Sequence, residues 1–199
     1  MCRLLESIQV KEGRLVNAGW HSRRFNASRK ELFGIEMAEN LENLVQVPEE
    51  CRLGLYRCRV IYGEMIHSVE FIPYHYRKIE SLKLVEADTI DYHLKFAQRD
   101  QLEKLFAQRG DCDDIIIVQN GCLTDSFAAN LVFRKGQAWY TPDTPLLPGT
   151  QRAKLLGSGE ISIRRITLEN YRDYHCAGLI NAFSDLDNMP VIAIDKIFR

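Results

Sequence analysis

Lys95, in DYHLKFAQR, is the residue through which this chain could do covalent chemistry. A lysine is ordinarily a solvated charge, but a partly buried one has a lowered pKa, and its amine can attack a carbonyl to form a Schiff base. Asp125, in LTDSFAANLVF, sets a carboxylate between an apolar hairpin strand and a run of small residues. Such an acid either caps a turn or is held buried against a cationic partner. The turn LLPGTQR opens into a helix beginning RAKLL, so the backbone of Gly149, Thr150 and Gln151 can form an anion nest, to which Arg24 in HSRRF can add a cation. Arg57 and Arg59 fall two apart on a strand and share one sheet face, opposite Tyr56, Cys58, Val60 and Tyr62. They read either as a solvated face or as a bidentate clamp for a substrate carboxylate. His21, three residues before Arg24, either packs at a helix start or supports the site, and packing is the favoured reading. The remaining histidines, His67, His75, His93 and His175, lack metal-ligand spacing, so no metal site is expected.

Those groups need elements to position them. Residues 4–16 read as two short strands around a Lys-Glu-Gly turn, followed by a helix from His21 to Phe33 that stops at Gly34. GLYRCRVIYG and EMIHSVEFIPY alternate with period two around Gly63-Glu64, which predicts a hairpin ended by Pro73. A strand SLKLVE follows, and a domain boundary is expected within residues 74–90. The second half predicts a helix from Asp100 to Gln108, then a hairpin in DDIIIVQNGCLTD that turns at Asn120-Gly121, where both residues tolerate positive φ. NLVFRKGQAWYTP predicts another hairpin turning at Lys135-Gly136, and LLPGTQRAKLL a turn and a helix. Beyond these come the strand ISIRRITL, a short helix near Glu169 to Tyr174, and strands AGLINAF and PVIAID. Strands dominate, with helices packed against them.

Bulk properties exclude several classes of function. The 26 basic and 27 acidic residues are interspersed and leave a formal charge of −1, so neither nucleic acid nor an anionic membrane surface is an expected partner. No apolar run approaches the roughly 20 residues of a membrane span, and MCRLLESIQV lacks a signal-type apolar region. The expectation is a soluble cytoplasmic protein. Its six cysteines form no C-x-x-C pair and read as reduced thiols.

An amine for an aldehyde, a carboxylate to keep a ring nitrogen protonated, and a nest with a cation for a phosphate are the demands of pyridoxal 5'-phosphate. The order of the pieces HSRRF, LK (94–95), LTDSFAANLVF, WYTP, LLPGTQR and INAF resembles the class IV aminotransferases. These fold-type IV pyridoxal-phosphate enzymes include branched-chain and D-amino acid aminotransferases and aminodeoxychorismate lyase. The resemblance implies an α/β (α+β) fold, with a small N-terminal α/β domain over residues 1–80 and a larger strand-rich C-terminal pseudo-barrel domain over residues 81–199. It implies that the cofactor lies between the domains and that the protein is a homodimer acting on a small-molecule substrate. Carried over position by position, Lys95 matches the Schiff-base lysine, Arg24 the arginine on the cofactor phosphate, and Asp125 the acid facing the pyridine nitrogen. Gly149, Thr150 and Gln151 match the phosphate loop, and Asn181 and Ala182 a second backbone contact to the phosphate.

The departures are specific. The family has glutamate where Asp125 stands, which shortens the reach by about 1.5 Å. Gln151 stands where a hydroxyl is usual, with Thr150 one position early. The family's Y-G-x-x-x-F-E segment is shortened here, with LLESIQV standing where F-E-[TS]-[IL] would be, so one wall of the pocket is expected to be missing or rebuilt. That simpler pocket favours a lyase of the aminodeoxychorismate type, which releases 4-aminobenzoate and pyruvate, over an aminotransferase. A non-catalytic, cofactor-binding homologue is a third reading.

Overall fold

The computed structural model describes residues 3–199. The chain forms two units: one runs to Tyr76 and takes in Leu94–Gln98, and the other holds Arg77–His93 and Arg99–Arg199. Leu94–Gln98 therefore packs with the first unit, although it follows the boundary expected near residue 80. No helix among the described residues is long and apolar enough to cross a membrane.

The first unit is a four-stranded antiparallel sheet in the order β2-β1-β3-β4, formed by β1 (Leu4–Lys11), β2 (Arg14–Leu15), β3 (Leu55–Tyr62) and β4 (Ile66–Pro73). Helix α1 (Ala18–Phe33) and the single turn α2 (Leu41–Leu44) complete it. Period-two alternation puts Leu4, Ile8 and Val10 of β1 and Cys58, Val60 and Tyr62 of β3 on the face that packs against Phe25 of α1 and Leu41 of α2. The same alternation delivers Glu6 to that face, opposite Val60, with no solvent exposure. α1 starts three residues before the expected His21, because Asn17 turns the chain at φ 55° and its carbonyl accepts from Trp20 N–H.

The second unit is a sheet whose main path runs β10-β9-β8-β7-β6-β5-β13, with β11 branching from β8 and β12 from β11. β5 (Leu82–Glu86) lies parallel to β6 (Asp114–Gln119), and α3 (Asp100–Phe106) stands in the crossover between them. β6 is buried on both faces: Ile116 and Val118 enter one core with Leu123, Leu131 and Phe133, while Ile115 and Ile117 enter another with Leu102 of α3. Asn120 and Gly121, at φ 50° and 74°, form the tight turn into β7 (Cys122–Ser126) that their sequence demands. β8 (Asn130–Lys135), β9 (Ala138–Pro142), α4 (Thr150–Gly157) and β10 (Ile161–Arg164) follow, with β9 and β10 parallel. α4 packs Leu155 onto Val132, Ile161 and Ile180. The chain closes with β11 (Cys176–Ile180), β12 (Val191–Ala193) and β13 (Ile197–Phe198).

Besides the start of α1 and the end of PVIAID, which leaves its strand at Ala193 for a 3₁₀ turn over Ile194–Lys196, three elements differ from expectation. ISIRRITL stays a strand only to Arg164, because Ile166 and Thr167 leave it to bridge the start of β7, and the Asn170 side chain then accepts from Thr167 N–H. The expected short helix there is a single 3₁₀ turn, Tyr171–Asp173. AGLINAF ends at Ile180, where Asn181 and Ser184 exchange backbone hydrogen bonds and turn the chain. The five described cysteines are free thiols.

Candidate functional site

Asp125, on β7, is 6% exposed and accepts from two donors of its own unit. Its Oδ1 accepts from the Asn130 side-chain amide at 2.8 Å and its Oδ2 from Leu147 N–H at 2.9 Å. The Asn130 amide also donates to Leu147 C=O at 2.8 Å, so one side chain ties the acid to the loop that leads into α4. Asn130 sits at a junction. It pairs with Asp125 across β7–β8 and with Ile180 across β8–β11, immediately before Asn181. Its Oδ1 also presses on Gly149, where an added Cβ would lie 1.9 Å away. Gly149 is thus required by close approach, independent of any turn conformation. In this way the fold brings Asp125, Gly149–Gln151 and Asn181–Ala182 together round one asparagine.

Three features suit the opening of α4 to an anion. Its first turn contains no acidic residue, and its first N–H groups lack intrahelical partners by construction. Gln151 is 4% exposed, and its Nε2 is a buried donor with no hydrogen-bond partner among the described residues, the kind of orphan that calls for an acceptor. Arg152, one residue on, turns instead to Thr141 Oγ1 and Pro142 C=O at 3.1 and 2.9 Å. Burial lowers its pKa, and the Asp125 charge works against that shift. A phosphate at the α4 N-terminus and a protonated ring nitrogen near Asp125 both fit these donors and this acceptor.

In the first unit, His21 and Arg24 lie one helical turn apart on α1 and both reach Glu6 of β1. Arg24 donates from Nε to Glu6 Oε1 at 2.8 Å and from Nη2 to Oε2 at 2.6 Å, a two-point contact, and His21 Nδ1 meets Oε2 at 2.6 Å. Burial would raise the Glu6 pKa, but the Arg24 charge and the hydrogen bonds of His21 and Arg24 outweigh it and hold the carboxyl at about 2. Burial lowers the His21 pKa in spite of Glu6, with Arg24 and Lys95 adding to the effect. The ring is therefore neutral near pH 7, and its Nδ1–H donates to Glu6 as a hydrogen bond within a single Glu6–Arg24 ion pair.

Lys95 belongs to this neighbourhood. Its carbonyl accepts from Leu5 N–H at 2.9 Å, Phe96 bridges Leu4, and Ala97 N–H donates to Arg3 C=O, so Lys95 is stitched beside β1, and its charge is felt at His21. Arg57 and Arg59 project from the other face of the sheet. The Arg57 guanidinium stacks on Tyr74 at 4.9 Å, and Arg59 pairs with Glu70 of β4 at 3.1 Å.

The candidates thus fall into two sets, Lys95 and Arg24 in the first unit, and Asp125, Gly149–Gln151, Asn181 and Ala182 in the second. Sequence reasoning passed over Glu6 and Asn130. Asn130 stood inside the quoted LTDSFAANLVF, and the alternation of LLESIQV marks Glu6 as a charge on the apolar face. His21, read as a packing residue, is buried and also serves as a polar ligand of Glu6. Among the described residues, no group of three or more His, Cys, Asp or Glu side chains could hold a metal.

Comparison with known proteins gives a consistent likeness. The family Amino-transferase class IV matches residues 3–192. An uncharacterised protein of Haemophilus influenzae is 38% identical over 188 residues, which cover 94% of this chain and 100% of that protein. The crystal structure of a provisionally assigned 4-amino-4-deoxychorismate lyase from Haemophilus somnus 129PT is 36% identical, with 94% of this chain and 98% of the other covered and a TM-score of 0.87. A hypothetical aminotransferase of Mycobacterium tuberculosis in its pyridoxal-phosphate-bound form shares the fold at 16% identity and a TM-score of 0.75, over 98% of this chain and 81% of that one.

Proposed function

Because the chain belongs to the class IV aminotransferase family, whose enzymes work with pyridoxal 5'-phosphate, we propose that it is a lyase acting on 4-amino-4-deoxychorismate, releasing pyruvate and 4-aminobenzoate. The observation that carries this reading is the 36% identity to the Haemophilus somnus protein along nearly the whole of both chains. Bound, the cofactor supplies an electron-withdrawing ring that stabilises negative charge on the carbon bearing the substrate amine.

The chain supplies the rest. Lys95 would hold the cofactor through its amine and, once displaced by the substrate amine, would take the proton from the carbon bearing that amine and pass it to the departing enolpyruvate, which leaves as pyruvate while the ring becomes aromatic. Asp125, kept in place by Asn130 and Leu147, would hold the ring nitrogen protonated. Arg24, the N–H groups of Gly149–Gln151 and those of Asn181 and Ala182 would hold the phosphate, which would also give the unpaired Gln151 amide an acceptor. Arg57 and Arg59 offer guanidinium groups to a substrate carboxylate. The working form is a homodimer.

Purified protein should absorb in the near-visible region, lose that band on borohydride reduction, and carry the reduced adduct on Lys95 by peptide mass. Lys95→Ala should abolish the reducible adduct, and a Lys95→Ala protein that still forms it ends the reading. Formation of 4-aminobenzoate from aminodeoxychorismate supports the lyase. Turnover of amino-acid and keto-acid pairs in its place makes the protein a transaminase.

A further inference from the structure

Glu6 has no part in the chemistry proposed above, yet it is a fully buried charge on a strand face otherwise given to Leu4, Ile8 and Val10. Its presence needs a reason. A buried ion pair is a weak route to stability, because an apolar residue of similar volume usually serves as well or better. What a carboxylate gives that a leucine does not is direction. The two oxygens of Glu6 take Nε and Nη2 of Arg24 at 2.8 and 2.6 Å, and such a two-point contact fixes the plane of the guanidinium as well as its position. His21 Nδ1–H, on the same oxygen as Nη2, holds the carboxylate from a second side, one helical turn from Arg24. Nη1 takes no part in the contact with Glu6, so that corner is the part of the group whose aim Glu6 sets.

We propose that Glu6 is a positioning residue: buttressed by His21, it orients the Arg24 guanidinium toward the cofactor's phosphate. The inference rests on the reading that Arg24 holds that phosphate. It requires the plane of the guanidinium, beyond its charge, to matter for phosphate recognition. The Glu6→Gln side chain keeps the size and one acceptor but loses the charge and the second acceptor, so Arg24 can turn.

The test compares binding of pyridoxal 5'-phosphate with binding of pyridoxal, which lacks the phosphate, by absorbance titration of the full chain freed of cofactor. Far-ultraviolet circular dichroism checks that each protein is folded. The ratio of the two dissociation constants isolates the phosphate contribution, and general loosening of the fold does not move it. Glu6→Gln should cut the wild-type preference for the phosphorylated ligand about tenfold while pyridoxal binding changes less than about twofold. Arg24→Lys, which keeps the charge and loses the fork, should cut the ratio similarly, and adding Glu6→Gln to it should change nothing more.

An unchanged ratio in Glu6→Gln overturns the inference. So does equal weakening of both ligands, the mark of a merely structural role, and so do additive effects in the double variant. Should Glu6→Gln fail to fold, Glu6→Asp, too short to reach Arg24 and His21 together, is read by the same ratio. A wild-type protein with no preference for the phosphorylated ligand overturns instead the assignment of Arg24 to the phosphate, which separates that failure from this one.

Discussion

Each unit buries an acid, and the two are held in different ways. Glu6 sits among apolar side chains and is satisfied by a guanidinium and an imidazole that come from a helix 15 and 18 residues away. Asp125 is satisfied by an amide side chain five residues on and by a backbone N–H of the loop before α4. One is half of an ion pair, and the other accepts from a side-chain amide and a backbone N–H. Directed hydrogen bonds to a carboxylate favour its charged form and fix its orientation. That suits a group proposed to face a protonated ring, while Glu6 is suited to fixing an arginine.

The contrast is broken hardest by Glu6→Ala, which leaves Arg24 beside an apolar cavity with its partner gone. Removing one member of a buried pair costs about 3–5 kcal/mol, and the 14% exposure of the Arg24 side chain places this case near the lower end. Denaturant unfolding of the two proteins should show that loss. A wild-type-like midpoint would mean that the pair is dispensable to the fold. Asp125→Asn, which keeps the shape and one acceptor, should cost the fold less than Glu6→Ala does.

Acid distinguishes the two acids further. The Glu6 carboxyl, held at about 2 against a usual 4.5, contributes roughly 3 kcal/mol that is fully present above pH 4.5 and is lost as the pH falls toward 2. His21 acts in the same direction from a higher pH. With its pKa lowered in the fold, it disfavours the native state once the unfolded ring takes a proton, below about 6.5. Stability measured from pH 7 to pH 2.5 should therefore fall more steeply in the wild type than in Glu6→Gln. Parallel curves would show that Glu6 titrates normally.

How much of this could be read from the sequence follows the range of the interaction. The turn at Asn120-Gly121, the alternating strands of residues 55–73 and the helix after Pro148-Gly149 rest on rules that act within a few residues, and all are present. The chemical types of Lys95, Arg24 and Asp125 were equally visible, and their order along the chain pointed to the family. The partners were not. Glu6 finds His21 and Arg24, and Asn130 finds Gly149, only when strands and helices have packed, and no local periodicity encodes that. The return of Leu94–Gln98 to the first unit is likewise a matter of backbone bonds to β1. β13, two residues long, is too short for any alternation to register.

The second unit's arrangement is sharpened by Gly149→Ala. The new Cβ would lie 1.9 Å from Asn130 Oδ1, so Asn130 must move, and with it the amide that serves both Asp125 and Leu147. Overpacking of this kind costs about 1–3 kcal/mol. The same substitution should weaken retention of the cofactor, measured by its release on dilution. Loss of stability with normal retention would mean that Asn130 organises the fold and has no influence on the site.

A third buried acid completes the series and gives the smallest effect, with the opposite sign. Asp114, 2% exposed at the start of β6, has its pKa raised by burial, and the N–H groups of Ile115 and Phe127 counter this only in part. Both donate to the same oxygen, at 2.7 and 3.3 Å, so an asparagine amide oxygen can accept both bonds while the buried charge disappears. A carboxyl whose pKa is raised in the fold favours the native state when protonated and loses that advantage as the pH rises through its folded value. Asp114→Asn should therefore leave stability near pH 3 almost unchanged and raise it at pH 7 by about 1 kcal/mol, read as a shift in thermal midpoint between the two pH values. A loss at pH 7 would show that the charge of Asp114, with Arg77 and Arg99 within its field, is worth more ionised than its burial costs, which would make it an acid of the Glu6 kind.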